Sequence, residues 1–405
     1  MADPSLVAVR GPLESLAAGF VSSLLEQGYQ RQSALIQVHL FAALSGWLLD
    51  ESLEPRQLDA TAVERFLIVR RRTGATRYVS GKAMHAILTF LGRQGIVRTP
   101  PALPASGPVE VTLERYGQYL LEERRLAATT ARLYVYLVRP FVSAMLSPNG
   151  LTADWATLRA ADVIEFVVAR TPQQSRGTAK LTVTALRSLL GFLHVQGHIA
   201  GSLTSAVPSV ASWRLAGLPK GLSPRELRVL FASCDRRTVT GRRDFAILTI
   251  LARLGLRARE VATLRLEDIH WRSGTIVVRG KGHHVEELPL PNDVSDAVVA
   301  YFRRGRPVSA MDRTVFVRVK APHRPLTAGG VTGIVAAAAE RAGLGRIHAH
   351  RLRHTAAMGL LRAGAPLSEI SQLLRHRRAQ TTAIYAKVDR AALRTIAQPW
   401  VGGVK

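Results

Sequence analysis

The chain has 405 residues, 47% of them apolar, with 55 Lys and Arg against 29 Asp and Glu for a formal net charge of +26. That length excludes a peptide-sized scaffold and points to about three domains, and the apolar content excludes a disordered chain. A charge excess of this size repels itself unless a polyanion is close, so nucleic acid is the first partner to expect and an anionic membrane surface the second.

In chain order, Met1-Ala2-Asp3-Pro4 lacks the basic region and apolar core of a secretory signal, and apolar stretches such as residues 38–49 stop short of the ~20 residues a membrane span needs. A soluble, cytoplasmic protein is the expectation. Residues 98–108 carry Pro100, Pro101, Pro104 and Pro108 and predict an extended linker. A second linker is expected over residues 208–221. After it, Ser223-Pro224-Arg225-Glu226 reads as a helix start, with Ser223 as N-cap, Pro in the first turn and Glu226 closing a capping box.

The two linkers divide the chain into residues 1–97, 109–207 and 222–389, with a tail over 390–405. The first two segments resemble each other. Leu24-Leu25-Glu26 aligns with Leu120-Leu121-Glu122, Leu58, Val63 and Phe66 with Leu158, Val163 and Phe166, and Phe90-Leu91…Gln94-Gly95 with Phe192-Leu193…Gln196-Gly197. A tandem repeat explains this, as does the weak self-similarity of any two amphipathic helical stretches. Both segments read as small helical bundles, with Leu113, Tyr116 and Leu120 on one helix face.

The third segment changes character. Residues 244–256 predict an apolar helix, and Thr275-Ile276-Val277-Val278, a Gly280-Lys281-Gly282 turn and a return strand over 285–290 predict a hairpin. Helices are expected over residues 327–342, 350–362, 366–374 and 381–385, making a mostly helical α+β domain with a small antiparallel sheet. Cys234, the one cysteine, excludes an intramolecular disulfide and reads as a small buried apolar residue rather than a reactive thiol.

Four pieces of this segment carry polar residues of chemical interest. In Leu254-Gly255-Leu256-Arg257-Ala258-Arg259-Glu260, Gly255 can end one helix and Arg257 begin the next, with Glu260 three residues on and able to orient the guanidinium. Lys281 at a hairpin tip could touch phosphate, donate a proton, or only keep the edge soluble. In His348-Ala349-His350-Arg351-Leu352-Arg353-His354, a helix puts His350, Arg353 and His354 on one face. The His350/His354 spacing also suits zinc, but Arg351 stands where a zinc hydrolase has Glu, and a cation beside a metal is electrostatically wrong. The last piece is Leu373-Leu374-Arg375-His376 with Thr381-Thr382-Ala383-Ile384-Tyr385.

Taken together, in this order, these pieces resemble the tyrosine recombinase (phage integrase) family. The resemblance implies a mainly α chain: tandem helical SAM-like N-terminal domains, the second being the core-binding DNA clamp with Thr130 to Tyr134 family-like, then the DNA breaking-rejoining enzyme fold. Carried over residue by residue, it implies Arg257, Lys281, His350, Arg353, His376 and Tyr385 as the catalytic set, with Glu260 in support. Two positions depart from the pattern. Arg375 stands where the family usually has Gly, which bears on the geometry around His376, and Glu286 stands where Arg or Lys is common.

The implied reaction is site-specific strand exchange through a 3′-phosphotyrosine, by a tetramer on two DNA duplexes, with no metal, ATP or other cofactor. Arg70, Arg71, Arg72, Lys82, Arg124, Arg125 and Arg132 are candidate phosphate contacts of the helical segments. A short helix over 389–397 is expected to dock on a neighbouring subunit or on its own domain. Two other readings remain open on sequence alone: a type IB topoisomerase, and a noncatalytic architectural DNA-binding protein.

Overall fold

The computed structural model describes residues 3–97, 107–146, 155–211, 221–280, 284–375 and 379–386. Contacts divide the chain into two compact units: Met1–Arg98 with Gly217–Lys405, and Thr99–Ala216.

The first unit opens with α1 (Ala17–Glu26), α2 (Arg31–Asp50), α3 (Ala60–Arg72) and α4 (His85–Arg93). Phe20 packs on Phe41 and Phe90 with ring centroids 4.6 and 5.2 Å apart at the middle of this bundle. Helix α2 runs well beyond the 38–49 stretch and, by length and composition alone, could cross a membrane. Its Val38, Phe41, Leu44 and Leu48 are at most 1% exposed and belong to the core of the four helices.

The second unit holds α5 (Pro108–Glu122), α6 (Ala128–Ala144), α7 (Ala160–Arg170) and α8 (Arg176–Val195). Leu113, Tyr116 and Leu120 form the buried face of α5, and the Tyr116 hydroxyl donates to the Ala185 carbonyl of α8 at 3.1 Å. The first expected linker ends earlier than its prolines suggest. Pro108 is the first residue of α5, a position where its missing N–H costs nothing and its fixed φ suits the helix. Residues 98–106 and 212–220 lie outside the described residues.

The aligned positions of the two segments fall at matching places. Leu24-Leu25-Glu26 and Leu120-Leu121-Glu122 close α1 and α5. Val63 and Phe66 sit in α3 as Val163 and Phe166 do in α7. Gly95 and Gly197 follow α4 and α8 with φ of 69° and 73°.

The rest of the first unit comprises α9 (Pro224–Ala232), α10 (Val239–Leu254), α11 (Ala258–Thr263), strands β1 (Ile269–His270), β2 (Thr275–Arg279) and β3 (Val285–Pro289), then α12 (Asn292–Arg304), α13 (Ala328–Arg341), α14 (Ala349–Arg362), α15 (Leu367–Leu373) and α16 (Ala379–Ala386). The Ser223 hydroxyl accepts from the Glu226 N–H at 3.2 Å, and the Glu226 carboxylate accepts from the Ser223 N–H at 2.7 Å. Helix α10, buried on nearly every face, is the axis against which α12 and α14 pack.

The strands form an antiparallel sheet in the order β1-β2-β3, registered from Thr275 opposite Pro289 to Arg279 opposite Val285. Ile276 and Val278 point into the core, the alternation expected of a half-buried strand. Sequence reasoning did not place β1 or α12. Cys234 is 5% exposed within the same core, and burial pushes its thiol up, in keeping with an apolar role. The helix expected over 389–397 and the tail lie outside the described residues.

Candidate active site

Helix α10 ends because Gly255 turns left-handed, with φ +58°. A Cβ there would lie 2.7 Å from Leu374 Cδ2 and 3.4 Å from Ala356 Cβ, so the position needs glycine for both its backbone and its space. Two residues on, Arg257 is the N-cap of α11 with extended backbone (φ −78°, ψ 151°). Glu260 folds back on it: Oε2 accepts from the Arg257 backbone N–H at 2.8 Å and Oε1 from Arg257 Nη1 at 2.7 Å. The Glu260 side chain is 3% exposed and that of Arg257 is 43% exposed, so the carboxylate is the buried anchor and the guanidinium the outward group. Burial pushes the Glu260 carboxyl up, but Arg375 and Arg257 outweigh it and hold the group below its ordinary range.

Arg353 of α14 is 2% exposed. Its guanidinium donates to the carbonyls of Gly255 and Leu374, tying the end of α10 to the end of α15. Burial, then the neighbouring Arg257 and Arg375, lower its pKa to about 9, which leaves it a cation at neutral pH. A cation held mostly by neutral carbonyls and flanked by two more guanidiniums makes a site short of negative charge, which is what a phosphate would supply.

Three residues before Arg353 and one after it along α14, the His350 and His354 rings meet edge to face with centroids 4.5 Å apart. Burial lowers the pKa of both, with Arg353 and Arg257 adding to the effect at His350 and His350 and Arg353 at His354. His354 falls to about 4. Tyr385 of α16 is 1% exposed among Ala357, Ile370 and Leu374, and its hydroxyl shares a 2.8 Å hydrogen bond with His354 Nδ1. Burial pushes the phenol up to about 12, and Arg353 pulls against that rise. The electrostatic pull of Arg353 on Tyr385 puts the two within each other's field, although they lie on different helices.

Of the sequence-predicted set, Arg257, Glu260, His350, Arg353 and Tyr385 are thus drawn to one region where α10, α11, α14, α15 and α16 converge. Lys281 falls between β2 and β3, whose near ends are joined by the Gly280 N–H donating to the His284 carbonyl at 2.7 Å, and His376 follows Arg375. Both lie outside the described residues. Sequence reasoning put His354 on the right face but gave it no partner. It treated Arg375 as a departure, whereas its side chain, 5% exposed, binds Glu260 within the site. No group of three or more His, Cys, Asp or Glu able to hold a metal occurs among the described residues.

The basic residues of the helical segments are less uniform than their shared charge suggests. Arg72 and Lys82 are exposed, and so are Arg124, Arg125 and Arg132. Arg71 is tied to Glu64 at 3.0 Å and to the Val79 carbonyl, Arg70 lies half-buried over the Phe66 ring, and Arg124 bonds Tyr119.

The phage integrase family model matches residues 220–391, and that of the phage integrase N-terminal SAM-like domain matches residues 113–197. An integrase/recombinase of Sinorhizobium fredii, y4rA, is 38% identical over 396 residues, covering 97% of this chain and 95% of the relative. Tyrosine recombinase XerD of Listeria monocytogenes is 32% identical over 290 residues, 70% of this chain and 96% of its own. Among solved structures, XerH site-specific recombinase bound to palindromic difH substrate aligns with a TM-score of 0.54 at 18% identity, over 82% of this chain and 93% of its own. A lambda integrase dimer bound to a COC' core site gives 0.54 at 16% identity, over 72% and 98%. These two show a shared fold. By sequence and by fold, the chain belongs to the phage integrase family, the tyrosine recombinases.

Proposed function

We propose that the protein is a site-specific DNA recombinase that cuts and rejoins DNA through a covalent link to Tyr385, in the integration, excision or transposition of a mobile element. The observation that carries this reading is that Arg353, with Arg257 beside it, holds the Leu374 carbonyl while the Tyr385 phenol is buried against Leu374 within the field of Arg353.

In the proposed step the Tyr385 oxygen attacks the scissile phosphorus. The P–O5′ bond breaks as the O–P bond to tyrosine forms, leaving a 3′-phosphotyrosine and a 5′ hydroxyl. A phenol at about 12 does not ionise by itself at neutral pH, so its proton must leave during attack. His354, neutral and 2.8 Å away, is the group on hand to accept it, with His350 next along the helix. Arg257 and Arg353 are assigned to the non-bridging oxygens, where a fork of donors on developing charge is worth roughly 3 to 4 kcal/mol each in comparable oxyanion sites.

Lys281 is assigned to protonate the leaving 5′ oxygen and His376 to bond the phosphate. The phosphotyrosine keeps the energy of the broken bond, so a 5′ hydroxyl from a partner strand can reverse the step without a nucleotide cofactor. Solved relatives include a lambda integrase tetramer bound to a Holliday junction, and a tetramer of this chain on two duplexes is proposed on the same pattern. A DNA substrate places the protein with the nucleoid in the cytoplasm.

The test uses the purified chain and a nicked duplex of the sequence it selects from a randomised pool. Wild type should form a covalent protein–DNA adduct at a 3′ end, whereas Tyr385→Phe should bind with unchanged affinity and form none. An adduct in the Phe variant would move the nucleophile elsewhere. Relaxation of supercoiled plasmid without recombinant joints would make the protein a swivelling topoisomerase instead.

A further inference from the structure

Arg375 has φ +51°, in the left-handed region that side chains with a Cβ occupy at a cost of about 1 to 2 kcal/mol. A non-glycine residue held there is worth asking a reason for. Its side chain is 5% exposed, and an unpaired guanidinium at such burial is strongly disfavoured. The partner is Glu260, whose Oε2 accepts from Arg375 Nη2 at 2.8 Å, while Nη1 donates to the Leu373 carbonyl at 2.8 Å. Nε is buried and has no hydrogen-bond partner among the described residues.

The same Oε2 accepts the Arg257 backbone N–H, and Glu260 Oε1 holds Arg257 Nη1. From the other direction, Arg257 Nη2 reaches the Arg375 backbone carbonyl at 3.5 Å. One residue therefore touches both members of the Arg257–Glu260 pair, with its guanidinium on the carboxylate and its carbonyl near the guanidinium.

We propose that Arg375 is a positioning residue for the recombination reaction: it pins Glu260 and thereby sets the aim of the Arg257 guanidinium on the scissile phosphate. This rests on the function proposed above, which assigns Arg257 to that phosphate. Arg375 itself already has its charge matched by the Glu260 carboxylate, whereas Arg353 is held by neutral carbonyls, so Arg375 is assigned to the carboxylate and not to the phosphate.

Arg375→Gly is the informative variant, because glycine accepts the left-handed backbone and only the side chain is lost. On the nicked duplex at saturating DNA, adduct formation should slow about tenfold, as expected when a transition-state ligand loses its alignment, with Kd within about threefold of wild type. Arg375→Lys should recover part of the rate. Adding Arg375→Gly to Glu260→Gln should slow the reaction no further than Glu260→Gln alone, since both act through one carboxylate.

An unchanged rate in Arg375→Gly overturns the proposal, as do two effects that multiply. A weakened Kd whose salt slope drops by about 0.9 also overturns it, since that would mark a direct phosphate contact. Should wild type form no adduct, the functional reading fails separately, and the Glu260 carboxyl titration followed by ¹³C NMR on the full chain still decides. An upward shift in Arg375→Gly that Arg375→Lys reverses supports the contact, and an unmoved midpoint removes it.

Discussion

His354 holds the Tyr385 hydroxyl at 2.8 Å and is itself packed against His350. With its pKa depressed to about 4, it is neutral in the folded chain from pH 7 down toward that value, while in the unfolded chain it titrates at ~6.5. Between those two values the unfolded state binds a proton that the folded state refuses. The stabilising contribution is therefore complete above ~6.5 and is lost as pH falls toward 4. His350 is shifted in the same direction, with Arg353 and Arg257 as the cations acting on it, and Arg353 and Tyr385 keep their protons over this range. His354→Gln should flatten, without abolishing, the rise of the urea unfolding midpoint from pH 4 to 6.5; a slope equal to wild type would mean that His354 is not held neutral.

The residues of this site were legible to different degrees. Arg257 and Glu260 are a local pair three apart, and His350 and Arg353 share one helix turn, so spacing alone could join them. The His354–Tyr385 bond spans 31 residues and the Arg375–Glu260 bond 115, and such contacts depend on how α14, α15 and α16 pack, which no local period encodes.

At the scale of elements, the site is organised by the joint between α10 and α11. Gly255 ends one helix, offers its carbonyl to Arg353, and leaves the chain extended so that Arg257 caps the next. Gly255→Ala carries two costs. The left-handed φ adds about 1 kcal/mol, and the new methyl must push the tip of Leu374, which is fully buried beside Tyr385. Gly197→Ala, at φ +73° with nothing within 4 Å of the added Cβ, isolates the first cost.

The expected losses are about 2 to 3 kcal/mol for Gly255→Ala against about 1 for Gly197→Ala, by chemical denaturation, and adduct formation should slow only in the former. Equal losses and equal rates would mean that Leu374 yields freely and the joint transmits nothing. The helix stop at Gly255, the Ser223 cap and the β2–β3 hairpin were all readable because each rests on residues within a few positions of each other. Strand β1, two residues long, carries no pattern to read. Helix α12 does carry one, with Val294, Ala297, Val298 and Tyr301 buried on one face, but it follows a strand closely and was passed over. Pro108 misled in the other direction, since proline breaks helices inside and begins them at the first turn.

For the whole molecule, a net charge of +26 has to be accounted for by something other than the site, which uses only a few guanidiniums. If that charge serves DNA, binding should weaken steeply with salt, because each phosphate neutralised releases condensed counterions; a protein making 6 to 10 such contacts loses roughly 10³- to 10⁵-fold in affinity between 50 and 200 mM salt. The surroundings of the individual cations then decide which of them contribute. Arg72, Arg125 and Arg132 are exposed, with Arg132 Nε returning only to its own helix at the Ala128 carbonyl. Arg71 is already satisfied by Glu64 and the Val79 carbonyl, and would have to give up both to reach a phosphate. Anisotropy titrations on a random-sequence duplex should therefore find the slope of log K against log salt reduced by about 0.9 in each of Arg72→Gln, Arg125→Gln and Arg132→Gln, and little changed in Arg71→Gln. The same reductions should appear on the selected sequence, since phosphate contacts carry no base information. Wild-type slopes in all three exposed variants would take these helices out of the DNA contact and leave the charge excess to the segment that bears Arg257 and Arg353.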